Sequence, residues 1–330
     1  SNLYKKLLDT LYPLCSKHTN NIHVHNYIDN VLKHWVTDSV SRFNYLLKNS
    51  AVNKTSNLYT ATQGPYGTKL ISQAVLLSGG RVHSFAHGQG KFWFNDPRIR
   101  NTELLTLGVY HDHTEESARR LRELSFSWKE QSLDRLEIIS DRKIPKIHKT
   151  IVHNSEVKIV MLIASGYLGD RRQPASIESC TQLNLELRIS KLLINAGFKL
   201  LIKVHPKGIG FPKQLYSELI PEAQIVSGWF EQVHEKADAF VFYNFASTAF
   251  CEAISLTSKP IALIYPAINN IYSQEMNILK KRCKVISASY DAKNKISFNN
   301  ESLVKYLKKN EWKISEEIKD KFIHYVSERE

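Results

Sequence analysis

The sequence predicts an α/β protein of two domains, the second Rossmann-like, the first helix-rich and either reduced or truncated. Three observations predict it. From Val157 to Pro266, short apolar runs alternate with helix-length segments, the spacing of right-handed βαβ crossovers on a parallel sheet. Several of these runs end in polar or glycine-bearing junctions, where open parallel sheets bind ligands. At 330 residues the chain is too long for one comfortable core and fits two, drawn here as 1–150 and 151–330.

The first fifty residues read as helical. Leu3, Leu7, Leu8 and Leu11 recur at helical spacing, and a second such pattern runs from Tyr27 to Leu47. Residues 50–66 turn to Ser, Asn, Thr and Gly, and a helix-like stretch follows from Thr68 to Leu77. A short strand, Arg81–Phe85, leads into the loop His87-Gly88-Gln89-Gly90. A second strand, Glu103–Tyr110, meets Asp112-His113-Thr114-Glu115, which fits a capping box before a helix carrying Arg119, Arg120 and Arg122. Two or three convincing strands are too few for a complete Rossmann-type half. Either this domain is reduced or the chain starts downstream of the native beginning. Residues 130–156, charged and without strong periodicity, read as the inter-domain connection.

The second half is more regular. Strand Lys158–Ile163, a glycine-rich loop 165–174 and a helix near Ile177–Ala196 come first. Strand Lys199–Val204 ends in His205-Pro206, and a short helix precedes strand Gln224–Val226. Helix Trp229–Lys236, strand Ala239–Tyr243, helix Thr248–Ser255 and strand Pro260–Tyr265 follow. Two closing helices are expected, at 301–309 and 313–327.

Composition limits the classes. With 42% apolar and 23% charged residues, long disorder is not the default. No run reaches the ~18 consecutive apolar residues of a membrane span, and no export signal opens the chain. A soluble chain, not exported by its own sequence and resident in the cytoplasm, is the expectation. Cys15, Cys180, Cys251 and Cys283 are scattered without C-x-x-C or histidine spacing, against a zinc site and a disulfide framework. The net charge of +13 predicts attraction to anions. Nucleic acid, anionic lipid and nucleotide sugars all qualify, as does a functionally indifferent basic surface.

Three junctions of the second half carry phosphate-compatible chemistry. Tyr243-Asn244-Phe245-Ala246-Ser247-Thr248 opens a helix, whose unpaired N–H groups and dipole favour an anion, with two hydroxyls added. Ser247 is equally readable as a plain N-cap. His205, just past a buried strand, can donate to a phosphate oxygen, or serve only as a turn residue. Glu252, one turn into the helix that Ser247 opens, can accept from ribose hydroxyls or face solvent. Gly166, Asp170 and Arg171 stand in the loop after the domain's first strand, where Arg171 and Arg172 can face phosphates, carboxylates or solvent. In the first half, Gly88 and Gly90 allow close backbone approach, and His87 at a strand end suits a general acid or base. Asp112 is a second catalytic candidate with a good alternative as a helix cap, and Asp96 a further loop carboxylate. The chain has no Asp-x-Asp ligand pair, so neither a metal nor any other cofactor is expected.

Val204-His205-Pro206, the Asn244-x-x-Ser247-Thr248 helix start, Cys251-Glu252-Ala253 and Lys259-Pro260-Ile261 together resemble the C-terminal domain of GT-B glycosyltransferases. More narrowly, they are similar to bacterial enzymes using CMP-linked sialic acid or Kdo, and to polyol-phosphate transferases of surface polymers. The resemblance covers about 110 residues. It implies a GT-B-like pair of Rossmann-like domains. It also implies that His205, Ser247 and Thr248 contact the nucleotide phosphate and Glu252 the ribose, although Pro260 lies one residue beyond the family's spacing. Gly79 to Gly90 resembles the His-Gly loops of surface-carbohydrate transferases, but the paired-acid-and-glycine motif of bacterial sialyltransferases is absent.

The resulting expectation is a metal-independent transferase of capsule or lipopolysaccharide synthesis. Its partners would be a nucleotide-sugar donor, CMP-linked by preference, and a glycan or glycolipid acceptor. The basic surface could hold it against an anionic membrane, at the inner face of the inner membrane. The rival class is a non-catalytic nucleotide- or nucleic-acid-binding module, supported by the charge and by Lys91-Phe92-Trp93-Phe94. No RNA-binding fingerprint is present, and a nucleic-acid partner is not expected.

Overall fold

The computed structural model describes residues 5, 9, 22–48, 56–61, 65–86, 104, 108–126, 136–140, 150–166, 177–205, 212–245, 247–266 and 271–318. Two compact units are present. One comprises residues 1–85, 98–110 and 130–137, the other 86–97, 111–129 and 138–330.

The first unit is built on local helices and a short sheet. Helix α1 (Ile22–Lys48) buries only Val36 among its residues, and Tyr27, Trp35 and Tyr45 stay exposed. Strand β1 (Asn57–Thr60) pairs in parallel with β2 (Arg81–Phe85) across helix α2 (Tyr66–Leu77). With β3 (Val109–His111) and β4 (Glu137–Ile139) they form a four-stranded sheet in the order β1-β2-β3-β4.

The second unit holds a seven-stranded sheet. In chain order its elements are β6 (Ile159–Ile163), α4 (Ser179–Asn195), β7 (Lys199–Lys203), α5 (Pro212–Leu219) and β8 (Gln224–Val226). There follow α6 (Phe230–Val233) with a 3₁₀ turn at His234–Lys236, β9 (Ala239–Phe242), α7 (Thr248–Leu256) and β10 (Ile261–Tyr265). Helix α8 (Ser273–Arg282), β11 (Lys284–Tyr290), β12 (Ile296–Phe298) and α9 (Asn300–Leu307) complete it. The spatial order is β12-β11-β10-β9-β6-β7-β8, all parallel except β12. Counted from β6, the parallel strands run 3-2-1-4-5-6, the doubly wound order of dinucleotide-binding domains. Rossmann-like is therefore the observed topology.

The central strands β6, β7, β9 and β10 are apolar on both faces because helices cover both. Val160, Leu162, Ile202 and Val241 meet Leu185, Ile189 and Leu303 on one face. The alternate residues Met161, Phe240, Phe242 and Leu263 meet Phe230, Phe250 and Ile254 on the other. Edge-to-face rings tighten this second face, Phe230 on Phe240 at 5.2 Å and Phe242 on Phe250 at 5.1 Å. Arg282, 1% exposed, donates to the carbonyls of Ala253 (3.3 Å), Ile254 (3.2 Å) and Thr257 at the C-terminal end of α7. Burial lowers its proton affinity, while those carbonyls, the negative end of a helix, replace water.

Several elements differ from expectation. The second closing helix is not formed at its start: Glu311–Ser315 is strand β13, antiparallel to β5 (Thr150–Asn154). The alternation of buried Trp312 and Ile314 with exposed Glu311 and Lys313 is the period of a strand. The stretch 130–156 is more than a connection, since it contributes β4 and β5. Strand β1 was hidden in a polar stretch, and α8, β11 and β12 were not anticipated. Helix α3 (Glu115–Phe126) is capped by Thr114, whose hydroxyl accepts from the Ser117 N–H at 3.1 Å, rather than by Asp112. Within the second unit α3 is fastened to α8, with Arg120 3.1 Å from the buried Glu275 carboxylate and 5.1 Å from the Tyr272 ring centre.

Candidate functional site

In a sheet of this order the strands reverse direction of winding between β6 and β9, and a crevice opens beyond their carboxyl ends. The residues there come from three junctions. Beyond β6 lie Ala164, Ser165 and Gly166; beyond β7, Val204 and His205; beyond β9, Tyr243 and Asn244, then Ser247 at the head of α7.

The junctions are joined. Asn244 donates its side-chain amide to the Ser165 hydroxyl at 3.1 Å. Gly166 lies against the His205 ring: a Cβ there would sit 3.3 Å from both Cγ and Nδ1, tighter than ordinary contact. The glycine thus lets the β6 loop and the exposed His205 approach each other. Ser247 caps α7, accepting from the Phe250 N–H at 3.2 Å and donating to the Asn244 carbonyl at 3.1 Å. Thr248, exposed, is the first residue of the helix. As at any helix start, the amides of the first turn that Ser247 does not cap have no intrahelical partners.

Beneath the crevice, one face of the sheet hides a carboxylate that the sequence reading did not single out. Glu186 of α4 is fully buried. Tyr243 donates to one of its oxygens and Tyr216 to the other, and Gln182 adds its amide at 3.1 Å. The same Gln182 amide reaches the Ser165 carbonyl at 3.1 Å, and the Ser165 N–H donates to the Tyr243 hydroxyl at 2.7 Å. Both backbone groups of Ser165 are therefore tied to this network. Burial and the Glu186 charge raise the Tyr243 hydroxyl far above its ordinary value, so it stays protonated.

The other face carries a different cluster. Glu252 is 7% exposed, which removes the solvent-facing alternative. Burial pushes its carboxyl up to about 8, the like charge of Glu231 and a hydrogen bond shared with it add to the shift, and Lys203 opposes it. Lys203, the last residue of β7 and 4% exposed, is itself lowered by burial, with Glu252 and Glu231 acting the other way. One Glu231 oxygen is buried with no hydrogen-bond partner among the described residues. Lys203 and Glu231 were also missed. Lys203 closes an apolar strand, and a lysine at that position is the signal that could have found it.

Asp112 accepts from the His113 N–H at 2.7 Å and from the Ser117 hydroxyl at 2.8 Å, at the start of α3. His87, Gly88, Gly90, Asp96, Asp170, Arg171 and the stretch Lys91–Phe94 lie outside the described residues, and of the helix expected over residues 3–11 only Lys5 and Asp9 are described, both helical. Among the described residues no cluster of His, Cys, Asp or Glu could hold a metal ion, and no helix is long and apolar enough to cross a membrane.

No family model matches the sequence, and no curated protein matches it either. Among solved structures, the chain is similar to TarM at 12% identity and a TM-score of 0.43, over 80% of this chain and 49% of that one. It is also similar to S. aureus MnaA solved with UDP, at 11% identity and 0.43, over 83% and 71% of the two chains. The C-terminal domain of the coenzyme A biosynthesis bifunctional protein CoaBC follows at 8% identity and 0.25, over 46% and 93%. The chain spans about half the length of TarM.

Proposed function

We propose that the chain is a GT-B-like glycosyltransferase of bacterial surface-polymer synthesis, with the donor nucleotide held at the crevice between β6 and β9. One observation carries this reading. Ser165, Gly166, His205, Asn244 and Ser247, drawn from three junctions, converge at the switch point of a 3-2-1-4-5-6 sheet. The diphosphate or monophosphate of the donor sits against the head of α7, where unpaired amides and the hydroxyls of Ser247 and Thr248 donate to it. His205 donates to the leaving phosphate and stabilises its charge.

The donor class of this reading is a CMP-linked nonulosonic or octulosonic acid, and residues 151–330 form the donor side. Residues 1–150 form the acceptor side, where His87, or a carboxylate such as Asp112, takes the acceptor proton. Asp170 and Arg171 flank the donor loop. The acceptor is a glycan or glycolipid at the inner face of the membrane, met by a basic, metal-independent enzyme.

The test is a melting-temperature panel of CMP, CDP, UDP, GDP and an oligonucleotide. A nucleotide at 100 times its dissociation constant adds about 2.7 kcal/mol. Stabilisation by cytidine nucleotides is expected. Equal shifts from UDP and GDP would remove the CMP preference, and binding of the oligonucleotide alone would replace the enzyme with a nucleic-acid-binding module. His205→Ala should lower turnover by roughly ten- to a thousandfold with little change in melting temperature.

A further inference from the structure

The edge of the seven-stranded sheet opposite the crevice is also charged, but with one sign. There α8 and α9 end, β11 begins and β13 passes, and they enclose a cleft of about 390 Å³. Lys280, Lys281, Lys284, Lys309 and Lys313 line it together with Glu311. Lys281 is paired with Glu317 at 3.0 Å. The other four lysines have no carboxylate partner among the described residues.

A bland account exists for part of this. Lysines gather at helix C-termini because each end carries roughly half a negative charge. That explains Lys280 in the last turn of α8 and Lys309 just past α9. It does not explain Lys284 and Lys313, which project from strands. Four unpaired lysines against one glutamate and two helix ends leave about two positive charges in the cleft. The buried Trp312 ring forms part of its wall. The volume corresponds to roughly a dozen waters at ~30 Å³ each, room for more than one phosphate group.

We propose that this cleft is an anion site for oligophosphates, that is, two or more phosphate groups carried on one molecule. Lysine ammoniums act as point charges and suit compact, many-oxygened phosphates, whereas planar carboxylates are better matched by arginine forks. The site is separate from the nucleotide crevice and stands whether or not that crevice binds a nucleotide. Its ligand is either a free oligophosphate or the head group of a phosphorylated lipid, and the two sources are separable.

The experiment uses the full chain in two arms. Calorimetry measures tripolyphosphate binding, and flotation measures binding to phosphatidylcholine vesicles containing phosphatidylinositol bisphosphate. Each is repeated with Lys284→Glu/Lys313→Glu and with a control pair on exposed lysines elsewhere, Lys191→Glu/Lys199→Glu. The expected result is at least tenfold weaker binding in the cleft pair and less than twofold in the control. Loss in the calorimetric arm assigns a free oligophosphate, and loss in the vesicle arm alone assigns a head group. No binding in either arm, or equal weakening by both pairs, overturns the site. Should the reversal impair folding, Lys280→Gln/Lys309→Gln repeats the comparison without introducing new charge.

Discussion

Two carboxylates are buried near the same end of the same sheet, one on each face, and they are handled in opposite ways. Glu186 is surrounded by neutral donors, the hydroxyls of Tyr216 and Tyr243 and the amide of Gln182. Glu252 meets another carboxylate, Glu231, with the ammonium of Lys203 acting against it. The first arrangement satisfies a charge and, through Tyr243 and Gln182, holds the backbone of Ser165 in place. The second makes the buried Glu252 carboxyl hold its proton well above the ordinary carboxylate range. Burial alone does not decide what a carboxylate does. Its partners do, and here they make one face a clamp and the other the seat of a carboxyl with raised proton affinity.

The sharpest way to break this contrast is to remove the clamp. Glu186→Ala removes the acceptor of three buried donors, the hydroxyls of Tyr216 and Tyr243 and one amide N–H of Gln182, at about 1–3 kcal/mol each. The melting temperature should fall by roughly 10 °C or more, on the scale of 2–4 °C per kcal/mol for a domain of this size. A fall of only a degree or two would mean that water or another donor already serves those groups. A smaller effect separates the two tyrosines. Tyr216→Phe and Tyr243→Phe each lose one bond to a carboxylate, about 1.5–3 kcal/mol. Only Tyr243→Phe also frees the Ser165 N–H, so under the proposed function it alone should weaken nucleotide binding, by about tenfold or 1.4 kcal/mol. Equal affinity in the two variants would sever the clamp from the crevice.

A pH-dependent effect lies on the other face. A carboxyl whose folded value is raised binds its proton more tightly in the folded state. Its contribution to stability is therefore lost as pH rises from the ordinary carboxylate range through about 8. Chemical denaturation between pH 5 and pH 9 should show stability declining over that window, and Glu252→Gln should flatten the decline. An unchanged slope in Glu252→Gln would place the titration on another group.

These contrasts also show what was legible beforehand. The apolar runs Ile159–Ile163, Ala239–Phe242 and Ile261–Tyr265 need both faces covered, so they announced a parallel sheet without any tertiary information. Ser247 and His205 were legible because strand ends and helix starts are local features. The chain around α8 was not, since Ser273–Arg282 carries too few apolar residues to show a stripe. Residues 311–318 misled because Ile314 and Ile318 are four apart, as in a helix, while Trp312 and Ile314 alternate as in a strand. Pairing with β5 decided between them. The Glu186 and Glu252 clusters each join residues from different elements, such as Tyr243 with Glu186, 57 positions away. No local pattern carries such a pairing.

The pairing of β13 with β5 has a mechanical consequence. Thr150 lies opposite Ser315 and Asn154 opposite Glu311, so residues 150 and 315 stand together at one end of a two-stranded ladder. Between them run some 160 residues and the whole seven-stranded sheet, a long loop whose closure costs entropy that grows only slowly with length. A pull transmitted along the chain through residues 150 and 315 would load the ladder from the end where both strands begin to part. Its bonds would open one after another, as a zipper does, instead of resisting together in shear.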